Sequence, residues 1–392
     1  MNILYVIAQY GVCNGATRTL SEFLIGSDNK LDACAIVTSS ITSTSDDGNV
    51  YEVSSPEEIS SIIKKIDCDI VHYVKSVYSH IFEMTIEAIH RIGKNIPVIT
   101  TVVQHPSSSH LLLSPFEIRH TTHFVFIDKT SFDLKLLSFL PIERKSQIYL
   151  LTRKYLEKTK AIPFKENNGG PIIYGRGSTL NKCPRNMFKV FDKIDVPKKE
   201  FHIVGIPEGD NWVRKEAKRR SNVKVYPMLP YEEWFELCKD FDVSLYQLPK
   251  KAYSSIDANM GLPMLMQKPT VYYGPLAPKE RMIHGENGFV ATTSKEISEY
   301  ATMLGENSLL RKSMGIKARE MSLEMRYGGK GIQEYHKIYE QLILTQQPKP
   351  IKIPCYYKLQ YICKCFREVV LTYIYHHQDN VMIRYIKRIV RK

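Results

Sequence analysis

Lys250 to Val290 reads KKAYSSIDANMGLPMLMQKPTVYYGPLAPKERMIHGENGFV, and the order of elements in this stretch decides the fold. Ala252 to Met266 predicts a short helix with apolar residues on its inner face, ended by Lys268-Pro269. Thr270 to Tyr273 supplies a β-branched and aromatic strand, which Gly274-Pro275 breaks. A second helix is expected after Pro278 with Glu280 in its first turn; Gly285 and Gly288 then bracket a turn before a strand beginning at Phe289. Helix, strand, loop, helix, turn, strand is the order found in a parallel sheet. There, the loop leaving a strand's carboxyl end and the next helix N-terminus form the usual seat of a phosphorylated ligand.

The same alternation runs back to the N-terminus. Asn2 to Ala8 is a continuous apolar run, as in a strand buried on both faces. The loop Gln9 to Ala16 carries Gly11 and Gly15, and a helix is expected from about Thr17 to Leu24. Strands follow at 33–38, 69–74, 97–103 and 123–127 with helices at 56–65 and 79–92, and IERKSQIYLL reads as the last strand of this unit. Residues 153–170 combine charges, a proline and Asn-Asn-Gly-Gly, the best linker candidate. Beyond it, strands at 171–174, 201–205, 223–226 and 242–246 and a helix at 231–238 lead into the opening stretch, and helices at 293–303, 308–321 and 333–344 follow it. The expectation is an α/β protein with two Rossmann-like, doubly wound parallel-sheet domains, 1–160 and 161–330.

Composition bounds the function classes. The 392 residues allow two domains with their own cores, and 43% hydrophobic with 24% charged residues is a globular balance. The net charge of +13 is unevenly placed: from Ile351 to the end nine Lys or Arg face two acids, a net +7, leaving +6 for the body. In this tail, 346–392, Met382, Tyr385, Ile386, Ile389 and Val390 fall on one side of a helix and Arg384, Lys387, Arg388, Arg391 and Lys392 on the other. Tyr356 to Tyr375 is richer in aromatic and aliphatic residues. Such segments suit an anionic membrane headgroup region, a partner's groove, or the protein's own surface. The eight cysteines lack paired metal-ligand spacing and read as thiols in a reducing compartment. The N-terminus reads as a first strand and not a signal peptide, and no apolar run approaches the about 20 residues that span a bilayer. A cytoplasmic protein is expected.

Lys268-Pro269-Thr270-Val271, Glu280 three positions before Ile283, and Gly285-Glu286-Asn287-Gly288-Phe289-Val290 resemble the C-terminal signature of the large retaining GT-B glycosyltransferase family, group 1 or family 4-like. That family includes many bacterial lipopolysaccharide and capsule sugar transferases. Its pattern also carries two glutamates separated by seven residues. Ser254 and Leu262 occupy the expected places here, and Asp257 is the only acid nearby. The resemblance spans residues 1 to about 345 and makes 331–345 the helix that crosses back to the first domain.

What the resemblance implies is a sugar transferred from a nucleotide-sugar donor to a glycan or lipid-linked glycan acceptor, with retention and without a metal ion or other cofactor. The setting would be surface polysaccharide synthesis at the inner face of the cell membrane. The glycine loop with Asn14 and Gly15 would approach donor phosphates and acceptor, because backbone N–H groups reach an oxyanion where no side chain intervenes. Arg176 and Lys182, flanking Gly177-Ser178-Thr179-Leu180-Asn181, match the cations that bind the diphosphate and stabilise charge on the departing oxygen. Glu280 or Asp257 would meet ribose or sugar hydroxyls, and His105 would lie near the transferred sugar. Each also has a plainer reading: a tight-turn glycine, solvated cations, a hydrogen-bonding loop histidine. A GT-B-shaped scaffold without activity is the main alternative, supported by the missing glutamates. A sugar-nucleotide epimerase stays open, and nucleic-acid binding rests on charge alone.

Overall fold

The computed structural model describes residues 1–11, 17, 19–20, 23–24, 33–42, 49–76, 79–106, 112–149, 159, 162–249, 252, 258–327, 330–345 and 348–376. Asn14, Gly15, Ser254, Asp257, three residues (18, 21 and 22) of the helix expected at 17–24 and the amphipathic segment at 382–390 lie outside them.

Seven parallel strands form the first sheet: β1 (Asn2–Ile7), β2 (Ala33–Thr38), β3 (Val50–Glu52), β4 (Ile70–Lys75), β5 (Val98–Val102), β6 (His123–Phe126) and β7 (Lys145–Gln147), in the order β3-β2-β1-β4-β5-β6-β7. Six form the second: β8 (Ile172–Gly177), β9 (Lys199–Val204), β10 (Val223–Val225), β11 (Val243–Gln247), β12 (Thr270–Tyr273) and β13 (Gly288–Val290), in the order β10-β9-β8-β11-β12-β13. Each order reverses beside the sheet's first strand, between β1 and β4 and between β8 and β11. Crossovers that leave in opposite directions open a crevice there, at the strands' carboxyl ends.

Helices α1 (Pro56–Lys65), α2 (Ile81–Ile92), α3 (Pro115–His120) and α4 (Lys129–Phe132) connect the first sheet. With the second go α5 (Met187–Asp192), α6 (Trp212–Ala217), α7 (Tyr231–Lys239), α8 (Ala258–Leu265), α9 (Ser294–Glu306) and α10 (Ser308–Tyr327); α11 (Lys330–Leu344) and α12 (Cys355–His376) follow. Local chemistry accounts for α1: Ser55 caps it by accepting from the Glu58 N–H, Pro56 opens it, Glu57 and Glu58 meet its positive end and Lys64 and Lys65 its negative end. Ile59, Ile62 and Ile63 form its buried stripe.

Two expected elements are corrected. The helix after Pro278 is a five-residue 3₁₀ turn, Ala277–Arg281, because the buried Asn287 side chain donates to the Arg281 carbonyl (2.7 Å) and accepts from the Ile283 N–H (2.8 Å), turning the chain back. The last strand of the first sheet is only β7, preceded by a 3₁₀ turn at Ile142–Arg144.

After the second sheet the chain returns to the first. Tyr335 and Tyr339 of α11 are buried against Ile3, Tyr5, Ile7 and Phe23. They meet a fully buried histidine: His72 Nδ1 lies 2.6 Å from the Tyr339 hydroxyl and Nε2 2.8 Å from Thr101 Oγ1, which in turn lies 2.9 Å from the Tyr335 hydroxyl. Such a relay satisfies four polar groups that would each cost free energy if buried alone.

Burial lowers the His72 pKa to about 3 from an ordinary 6.5. Above the ordinary value it adds no pH dependence; below it the unfolded chain takes up a proton that the folded chain refuses, and stability falls. Acid titration followed by circular dichroism should show this loss beginning below about pH 6.5. His72→Phe should remove one proton's share of the slope, about 1.4 kcal/mol per pH unit.

Candidate functional site

Next to the switch point of the second sheet, on the β9 side of β8, two strand ends approach closely. β8 runs into Gly177-Ser178, and β9 ends at Gly205, which has φ +93°; a Cβ there would stand 2.6 Å from the Ser178 carbonyl oxygen. Only glycine meets both the left-handed backbone and the contact. Beyond Ser178 the 3₁₀ turn Leu180–Lys182 folds over, leaving a cavity of about 670 Å³. Leu180, Pro207, Trp212 and Met228 give it apolar walls, with Thr179, Asn181 and Arg185 at its polar side. The Arg185 guanidinium sits 4.6 Å from the centre of the Trp212 ring, a cation–π contact that fixes both. A flat apolar wall beside a guanidinium and amide suits a nucleobase with its attached phosphates.

Arg176 lies under this loop. Its side chain is buried; Nη1 donates to the Gln247 carbonyl (2.9 Å) and Nη2 to the Lys182 carbonyl (3.3 Å), while Nε has no acceptor among the described residues. Gln247 is itself held by Asn186, and Asn186 by Ser294. Arg176 therefore joins β8 and β11 to the loop that carries Lys182, and reaching a ligand with Nη1 would mean leaving Gln247. Lys182 is half-buried on the 3₁₀ turn. The Ser178 hydroxyl at the end of β8 is buried with no partner among the described residues.

The two sheets meet through Glu280. Its carboxylate, on the 3₁₀ turn after β12, accepts from the backbone N–H of Lys129 (2.7 Å) and Thr130 (2.5 Å), and from the hydroxyls of Thr130 (2.5 Å) and Tyr149 (3.1 Å). Lys129 and Thr130 open α4, whose N-cap is Asp128, so the carboxylate also faces the positive end of a turn of helix. Expected beside donor hydroxyls, Glu280 is committed here to the first domain. His105 joins the same junction: its Nδ1 lies 2.9 Å from Ser131 Oγ. Burial holds the His105 pKa below the usual range, opposed by Glu280 and reinforced by Lys364, so the ring is neutral at pH 7.

The structure thus gathers Arg176 and Lys182 on one side and His105 and Glu280 at the junction; Asn14, Gly15 and Asp257 fall outside the described residues. Leu262, in one of the two expected glutamate places, is 3% exposed in an apolar cluster with Trp234, Phe235 and Phe241. Sequence reading missed Trp212, Arg185 and Met228. One signal was available for the first: it is one of only two tryptophans, in a polar stretch just after the glycine turn that ends β9.

Comparison of the sequence alone finds no matching family model and no matching curated protein. Solved structures do match. HepE of Anabaena, in complex with UDP-glucose, is 14% identical over 87% of this chain and 99% of its own, with a TM-score of 0.65. Sucrose-phosphate synthase from Thermosynechococcus elongatus is 10% identical over 87% and 99%, with a TM-score of 0.62. WaaG, a glycosyltransferase involved in lipopolysaccharide biosynthesis, is 12% identical over 86% and 99%, with a TM-score of 0.58. At such identities the likeness is one of fold, and the fold is GT-B: two parallel-sheet α/β domains with a cleft between them.

Two substitutions test the geometry. Arg176→Ala leaves the Gln247 and Lys182 carbonyls without their charged donor and should lower unfolding free energy by about 2–4 kcal/mol, measured by urea denaturation. Glu280→Ala removes the acceptor of four donors between the domains. It should cost about 1–3 kcal/mol and raise the radius of gyration in small-angle scattering, with the secondary structure unchanged.

Proposed function

We propose that this protein is a glycosyltransferase that moves a sugar from a nucleotide-sugar donor to a glycan or lipid-linked glycan acceptor. The observation that carries the reading is the cavity at the carboxyl ends of β8, β9 and β10, with Trp212 on its wall and the Lys182 loop at its mouth. Structures of the same fold hold UDP and UDP-glucose, which supports a uridine diphosphate sugar as the donor class.

In this reading the base lies on Trp212 and Pro207, and Lys182 meets the diphosphate. Arg176 holds that loop in place and lends its charge from below, with the Ser178 hydroxyl, which has no partner among the described residues, as a further donor. The bond from the anomeric carbon to the diphosphate oxygen breaks, the acceptor oxygen bonds to that carbon, and the acceptor's proton leaves with the diphosphate. Fixed cations lower the barrier by stabilising charge on the departing oxygen. Neutral His105, oriented by Ser131, can donate or accept a hydrogen bond at the sugar. The Asn14-Gly15 loop and Asp257 complete the proposed acceptor and sugar contacts. Retention, independence of metal ions and a place in surface polysaccharide synthesis, peripheral at the inner face of the cell membrane, belong to the same proposal.

Leu262 supports a second reading. A buried leucine where a glutamate is expected removes one anchor for the donor, and a GT-B scaffold that binds no donor would need none.

Thermal shift with UDP-, GDP-, ADP- and CMP-sugars separates the two. A donor at a hundred times its Kd should stabilise the protein by about 2.7 kcal/mol. Of the two tryptophans, Trp212 lines the cavity and Trp234 is buried, so donor binding should change the emission, and Trp212→Phe should abolish that change. Lys182→Ala should weaken binding at least tenfold. No shift with any donor at millimolar concentration moves the assignment to the scaffold.

A further inference from the structure

The chain does not end with the helix that returns to the first domain. Residues 349–357 are strapped along that domain: Arg144 Nη1 donates to the Lys349 carbonyl (3.0 Å), Ile351 and Ile353 are buried, and the Tyr357 hydroxyl donates to the Leu113 carbonyl (2.5 Å). The Tyr357 ring packs 5.0 Å from that of Phe139. This strap fixes the start of α12 and decides which of its faces looks outward.

That outward face is apolar. Tyr356, Leu359, Ile362 and Phe366 are 51%, 63%, 60% and 69% exposed, and at about 100° per residue they fall within an arc of roughly 120°. Other exposed large apolar residues of the described chain are scattered; these four form one stripe along eleven residues. Lys358 borders the stripe on one side and Arg367 on the other, and residues 351–367 contain no Asp or Glu. α12 is not long and apolar enough to cross a membrane, nor is any other helix among the described residues.

We propose that this face of α12 docks the protein on an anionic lipid bilayer, with the four apolar side chains entering the acyl boundary and the flanking cations meeting lipid phosphates. Charge selects this occupant. A second copy packed symmetrically on the same stripe would bring two basic rims together, whereas anionic headgroups attract them. The sequence beyond His376, with five more Lys or Arg and one acid, has the same preference. The inner side of α12 carries Lys364, whose charge is felt at His105, so the bilayer would lie alongside the first-domain side of the cleft. The inference rests on the transferase reading only for its purpose, the delivery of a lipid-linked acceptor; the contact itself does not depend on it.

The test is flotation of the full chain, without donor, on vesicles of phosphatidylethanolamine with 30% phosphatidylglycerol (~30%, as a surface of bacterial-like charge) against phosphatidylcholine alone. Binding to the anionic vesicles is expected, with at least a tenfold loss in Leu359→Ser/Ile362→Ser/Phe366→Ser and in Lys358→Glu/Arg367→Glu, and with melting temperatures unchanged because these side chains are exposed. Failure of the wild type to float overturns the proposal, as does full binding by the serine variant, which would place the contact in residues 377–392. Equal binding to neutral vesicles removes the charge argument and overturns it too. So does a dimer in sedimentation equilibrium that the serine variant abolishes, which would give the face to a second copy. None of these outcomes bears on donor binding, so the transferase reading stands or falls separately.

Discussion

Glu280 sets how the carboxyl ends of the two sheets face one another. A carboxylate has room for about four hydrogen-bond donors, and here two backbone N–H groups and two hydroxyls of the first domain take those places. The arrangement works because both backbone donors come from one short helix start, where N–H groups have no partner of their own. A carboxylate across a cleft is also a reversible tie. Its hydrogen-bond donors can return to water, so opening and closing at this junction need not break any packed core.

On the second-domain side, the constraint is space. Gly205 brings β9 against the Ser178 backbone, and Arg176 fills the volume beneath the Lys182 loop. A guanidinium buried this deeply needs acceptors, and the Gln247 and Lys182 carbonyls provide them at Nη1 and Nη2. The same group that the sequence marks as a phosphate cation thus also shapes the loop. Loss of activity on its removal would not by itself separate the two roles, which is why Lys182 and Trp212 are the cleaner probes of the proposed donor site.

On the first-domain side, two histidines sit in different surroundings. The His72 relay ties α11 to the first sheet through groups that stay neutral in the folded chain. His105, at the end of β5, is only half-buried and sits beside Ser131, Glu280 and Lys364, where charge can act on it. Two histidines from neighbouring strands differ in surroundings because one faces a packed helix and the other the junction with Glu280.

The sequence by itself determined the sheet architecture. Strands such as 33–38 and 270–273 and the helix at 56–65 were legible because apolar period, capping residues and proline or glycine stops act within a few residues. The short elements, β3, α3, α5 and α6, were not, since a turn of helix or three edge residues carry too little pattern to stand out. Sequence also marked Arg176, Lys182, His105 and Glu280 as residues to watch. Only the tertiary structure decided that Arg176 turns inward, that Glu280 reaches the other domain, that Trp212 walls the cavity and that α12 presents its apolar stripe outward. Each of these depends on which groups, distant in the chain, are brought within hydrogen-bonding or packing distance, and no local pattern encodes that.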